Sequence, residues 1–195
     1  MKIRKIVSKQ IEERKRKKGR LIAGIVMVAV MFFSVVGYSF MGRDETSNGE
    51  NAKIVYNNLE FSKENGLWAT TIGDFKFLFK YNPNEVNRTA SLLNLLNTYS
   101  GKPLYFSANG PEAEIARNLF YQNQIAQRIQ YACLEGETCV NVDYPIKTCQ
   151  DNFFMIRESE NTRIEQKQNC IFIEGKKEDL IKLTDSVLFK IIGIQ

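Results

Sequence analysis

The chain of 195 residues contains no histidine. That one absence excludes the Ser-His-Asp type of triad, imidazole metal ligands and a histidine pH switch. Phosphate-cradling glycine patterns are missing too, since neither GxGxxG nor GxxxxGK occurs. The four cysteines, Cys133, Cys139, Cys149 and Cys170, are separated by five, nine and twenty residues. No CxxC pair is among them, so a zinc knuckle is not expected, and no metal or other cofactor is. Charge is absent from one long stretch. Leu21 to Met41 holds 21 residues without a charged side chain, flanked by Arg20 and Arg43.

At about 1.5 Å rise per residue, that stretch spans roughly 30 Å as a helix, the hydrocarbon thickness of a bilayer. A transmembrane helix is expected over residues 21–41. A secretory signal has a shorter apolar region and small residues at a cleavage site. Here the far end reads Gly37-Tyr38-Ser39-Phe40-Met41, and its aromatics suit the bilayer surface. The segment therefore reads as an uncleaved signal-anchor.

Orientation follows from the flanks. Residues 1–20 carry ten Lys or Arg against Glu12 and Glu13, whereas the remainder carries 17 basic and 20 acidic residues. The positive-inside rule places residues 1–20 in the cytoplasm as a basic tail and the C-terminal part outside. Anionic headgroups account for such a cluster beside a membrane helix. With the remainder mildly acidic, no nucleic-acid partner is expected.

Residues 42–51 are polar, with Gly and Asn and no apolar periodicity, and read as a flexible linker. Residues 52–195 are long enough to bury a core of their own. The expected class is α+β, a mixed sheet with about three helices on the extracytoplasmic side of a cell membrane. Cysteines there favour disulfides over free thiols. Four cysteines allow three connectivities, and local geometry ranks them. Residues 152–158 and 163–173 read as a hairpin around the polar turn 159–162, which brings Cys149 near Cys170. Cys133 and Cys139 then close a small loop at a helix end.

Chain order supplies the other elements. Residues 54–56, 59–62, 67–72 and 75–81 read as a meander, with Asn65-Gly66 as a hairpin turn. Trp68 and the phenylalanines alternate as core residues of such strands. Asn82-Pro83-Asn84-Glu85 resembles a capping box and predicts a helix ending at Gly101. Asn87-Arg88-Thr89 is a glycosylation sequon near its start, which makes Asn87 a candidate modified residue. A strand over 102–107 and a second helix from Asn109 to about Ala132 follow. Glu112 and Glu114 in its first turn repel an anion rather than invite one. Residues 134–150 form a long loop pinned by cysteines. The last helix is expected at about 176–192, with Leu180, Leu183, Thr184, Val187, Leu188 and Ile191 on one face.

The order strand, helix, strand, helix, strand, strand, helix over about residues 75–192 resembles the thioredoxin-like fold. Membrane-tethered members outside the cytoplasm commonly handle disulfides through a CxxC at the first core helix. In this chain that place reads Asn82-Pro83-Asn84-Glu85, so the resemblance carries the fold and not the redox pair. A second resemblance covers about residues 14–41. Basic residues, Lys18-Gly19 and a hydrophobic helix are similar to prepilins, which are cut after glycine. Where prepilins carry Glu, this chain has Gly24.

Reactive constellations are weaker than either resemblance. Glu135/Glu137, Glu158/Glu160 and Glu178/Asp179 fall at turns or helix starts, where solvated charge is ordinary. Ser107 follows a strand without GxSxG. The expected function is therefore non-catalytic: binding or scaffolding of another envelope protein by a membrane-anchored domain. The rival readings are a pilin-like subunit and a relative of thiol-disulfide oxidoreductases that would use Cys133 and Cys139.

Overall fold

The computed structural model describes residues 52–107, 110–139 and 141–195. The expected tail, transmembrane helix and linker lie outside them. Among the described residues, no helix is long and apolar enough to cross a membrane.

Four antiparallel strands come first: β1 (Lys53–Tyr56), β2 (Leu59–Glu64), β3 (Leu67–Ile72) and β4 (Phe75–Phe79), paired in sequence order. Asn65 and Gly66 both take positive φ in the β2–β3 turn, as the Asn-Gly signal requires. Phe61, Trp68, Phe77 and Phe79 alternate onto one buried face.

The larger sheet has five strands in the order β10-β11-β9-β5-β6. Its members are β5 (Pro103–Phe106), β6 (Arg128–Tyr131), β9 (Asn152–Glu158), β10 (Arg163–Lys167) and β11 (Cys170–Gly175). All pair in parallel except β10 with β11. Both faces are buried, so its central strands read as continuous apolar runs such as Phe153-Phe154-Met155-Ile156.

Two helices lie on one face, α1 (Pro111–Gln122) and α2 (Leu180–Ile191). Helix α2 is buried almost all round from Thr184 to Phe189 because it sits between the two sheets. Phe189 packs against Phe79 with ring centroids 4.3 Å apart and meets Phe61 edge-on at 6.1 Å. Phe154 gathers Tyr99, Phe106 and Phe120 behind it.

The other face, with Tyr105, Phe153, Met155 and Phe172, is covered by the cysteine loop. Within that loop, β7 (Cys133–Leu134) pairs in parallel with β8 (Ile146–Lys147). Leu134 packs into the cluster, Lys147 lies 4.5 Å over the Tyr105 ring, and Glu137 pairs with Arg157 at 2.6 Å. The expected pinned loop is therefore a cover, held down by side chains at several points.

Three sequence expectations need correction. No α-helix follows Asn82. One turn does form, with the Asn82 N–H donating to Glu85 Oε2 at 2.8 Å and the Asn84 N–H to Asn82 Oδ1 at 2.9 Å. Beyond it, residues that favour local side-chain bonding over helix take other partners. Ser186 donates to the Asn87 carbonyl at 2.6 Å, Ser91 to the Ile164 carbonyl, and the Asn94 N–H to Gln166 Oε1 at 2.7 Å. Only a 3₁₀ turn, Leu96–Tyr99, appears before β5. The total is two α-helices among the described residues, not three.

The second correction shortens α1. It stops at Gln122, and Gln124 at φ +51° turns the chain into strand β6. Third, residues 163–173 are two strands rather than one. Gln168, at φ +53°, makes the turn, and β11 inserts between β9 and β10. The strand over 75–79 also belongs to a different sheet from β5.

Cys149 lies beside Cys170 and Cys133 beside Cys139 at disulfide distance, with Cα separations of 5.0 Å and 5.3 Å. The antiparallel hairpin was the wrong reason for the first pair. Cys170 is opposite Phe153 in a parallel ladder, and Asn169 ties the turn to the Cys149 carbonyl at 3.0 Å and the Gln150 carbonyl at 2.9 Å. Replacing Cys149 and Cys170 together by Ser is expected to cost about 3 kcal/mol in urea unfolding, from loop-closure entropy. The shorter Cys133–Cys139 loop gives about 2 kcal/mol by the same relation. Equal losses from the two double variants would contradict that ordering.

Candidate interaction surface

The turn that ends α1 separates two surface grooves. Asn123 fixes it from below. Its Oδ1 accepts the Lys76 N–H at 3.1 Å, and its Nδ2 donates to the Lys76 carbonyl at 3.0 Å and the Leu119 carbonyl at 2.9 Å. One side chain thus bonds the edge of β4 at Lys76 as a neighbouring strand would. Above it, the Gly101 N–H donates to the Ile125 carbonyl at 2.9 Å and the Gln127 N–H to the Lys102 carbonyl at 3.0 Å. Gly101 has φ +67°, a conformation that glycine adopts without strain.

A groove opens on each side of this turn, and Gln124 lines both. The first, about 410 Å³, is mainly apolar, with Phe75, Leu96 and Ile125 in its walls. The second, about 470 Å³, runs along β6 between Arg117, Tyr121, Ala126, Arg128 and Ile129. Neither groove has a carboxylate among its lining residues. Tyr121 is 72% exposed, Leu95 54% and Phe75 42%. Large apolar side chains brought together at a surface mark a contact site more than scattered ones do.

Electrostatics favour negative partners at the second groove. Arg117 bonds Glu114 and, at 2.9 Å, the Tyr131 hydroxyl. The Tyr131 hydroxyl and the Arg117 guanidinium hold the Glu114 carboxyl below the usual carboxylate range, against the opposing effect of burial. Arg128 forms no ion pair among the described residues. It donates to the Tyr105 hydroxyl at 2.8 Å and is otherwise open to solvent.

Compared with known protein families, characterised proteins and solved structures, the chain matches none.

The residues singled out from sequence fall elsewhere. Cys133 and Cys139 pair in the cover, and Cys149 and Cys170 pair at the sheet end. Asn87 is exposed in an irregular segment. Glu137 is engaged by Arg157, which also bonds Glu174 at 2.8 Å, so that carboxylate is an anchor for the cover. Ser107 Oγ accepts the Ile156 N–H at 3.0 Å and serves the sheet. No group of Cys, Asp and Glu suited to a metal ion occurs among the described residues. Sequence reading missed Phe75, Tyr121 and Arg128 as one surface because it continued the second helix through Tyr121 and Arg128. The alternation Arg128-Ile129-Gln130-Tyr131 was the available signal for a strand.

Proposed function

We propose that this protein is a single-pass, membrane-anchored binding protein whose domain outside the cytoplasm docks another envelope protein. The basic tail and uncharged run support the anchoring and its direction. Two cysteine pairs at bonding distance suit an oxidising compartment. The docking role rests on one observation: two adjoining grooves without carboxylates, lined by Phe75 and Leu96 on one side and Tyr121 on the other.

A photo-crosslinking amino acid placed at Tyr121 in cells is expected to give one discrete adduct of fixed mass. The same residue placed at exposed Lys177, at the approach to α2, is expected to give none. Adducts of equal yield from both positions, or from neither, would remove the docking reading. Protease added to intact cells should meanwhile digest the part after the anchor and spare the tail.

A further inference from the structure

The five-stranded sheet has two edges, and among the described residues only one is covered. Along β10, Ser91 bonds the Ile164 carbonyl and the Asn94 N–H donates to Gln166 Oε1. Along β6 no described residue pairs with the outer side. The Ala132 N–H donates inward to the Phe106 carbonyl at 2.9 Å. The alternation of a parallel ladder then directs the backbone groups of Ile129 and Tyr131 away from the sheet. Such an edge is a template for another strand.

The groove of about 470 Å³ lies along that edge, between Arg117 on α1 and Arg128 on β6. A strand laid there would send alternate side chains toward the helix-covered face, where Arg117 stands, and toward the opposite face, where Arg128 stands. Arg117 is already paired with Glu114, so the uncompensated charge at this edge is that of Arg128, and acidic side chains on that side of the incoming strand meet attraction. A lysine-bearing strand meets repulsion at the same place.

We propose that β6 accepts an extended acidic segment of a partner protein as a sixth strand, with Arg128 selecting its charge. This rests on the docking role above and gives the partner its chemistry. The full chain in detergent micelles would be titrated with a fluorescein-labelled seven-residue peptide of alternating glutamate and valine, read by anisotropy. Saturable binding is expected, with hydrogen-exchange protection at Ile129 and Tyr131. Arg128→Glu, a change at an exposed side chain, should weaken binding by about tenfold or more. A peptide N-methylated at alternate backbone amides keeps every charge and should lose binding, since it cannot pair.

Equal binding of the lysine counterpart, of the N-methylated peptide or of a thymidine octanucleotide would overturn the proposal. So would protection confined to the Phe75–Ile125 groove. A specific crosslink at position 121 without peptide binding would end the strand proposal and leave the docking role intact. Loss of both would end both.

Discussion

Asp185→Asn is expected to raise the free energy of unfolding by up to about 4 kcal/mol at pH 8 and to change it little near pH 4. Asp185 lies on α2 with no exposed surface. Its Oδ2 accepts the Tyr81 N–H at 2.8 Å, while Oδ1 is buried without a partner. Burial pushes its pKa up from 3.8 to about 7, assisted by the nearby Glu85 and opposed by the Tyr81 and Lys80 backbone N–H groups and the Lys80 charge. A raised folded-state value means that the folded protein holds the proton more tightly than the unfolded chain. Stability is then fully present below about pH 4, declines as pH rises toward 7, and levels off above it.

Asparagine never ionises, so the variant escapes that decline. Its carbonyl oxygen still accepts the Tyr81 N–H, and its amide occupies the place of the unpartnered oxygen. Urea midpoints for parent and variant between pH 4 and pH 8 give the test. Parallel curves across that range would mean that Asp185 titrates like a solvated carboxylate and that its burial costs nothing.

Phe189→Ala carries the second large effect, a loss of about 3–5 kcal/mol typical of removing a fully buried aromatic ring. The site is special because Phe189 belongs to α2 yet contacts Phe61 and Phe79 of the four-stranded sheet. Truncation weakens the joint between the two sheets as well as the core. The variant should lose exchange protection in β2 and β4 before it does so in β9 and β11. Uniform loss across both sheets would mean that the joint is no weaker than the sheet interiors. Phe189→Leu, which refills most of the volume, should recover the larger part of the loss.

Much of the fold was legible because its signals were local. The four-stranded sheet followed from period-two aromatics and Asn-Gly, and α2 from its apolar spacing. The failures share a cause, which is that the deciding contacts are distant in sequence. Asn82 and Glu85 made the helix start that they advertise, but Ser91 and Asn94 found better partners on β10 than in a second helical turn. Gln122 to Gln127 scan as helix until Asn123 bonds Lys76, 47 residues away. The edge position of β10 was hidden because local pattern cannot say which of three successive strands lies in the middle. The proposed docking surface was illegible for the same reason, since Phe75, Leu96 and Ile125 come together only after those turns are set.

The insertion of β11 between β9 and β10 has a consequence for how the protein is made. Synthesis runs from N- to C-terminus, so β9 and β10 emerge before β11, the strand that joins them. The place between them fills only when Cys170–Gly175 has left the ribosome. Until then Cys149 has no native mate and is a third thiol beside Cys133 and Cys139. A nascent chain stopped after Asn169 should therefore accumulate mispaired bridges that the full-length chain does not contain.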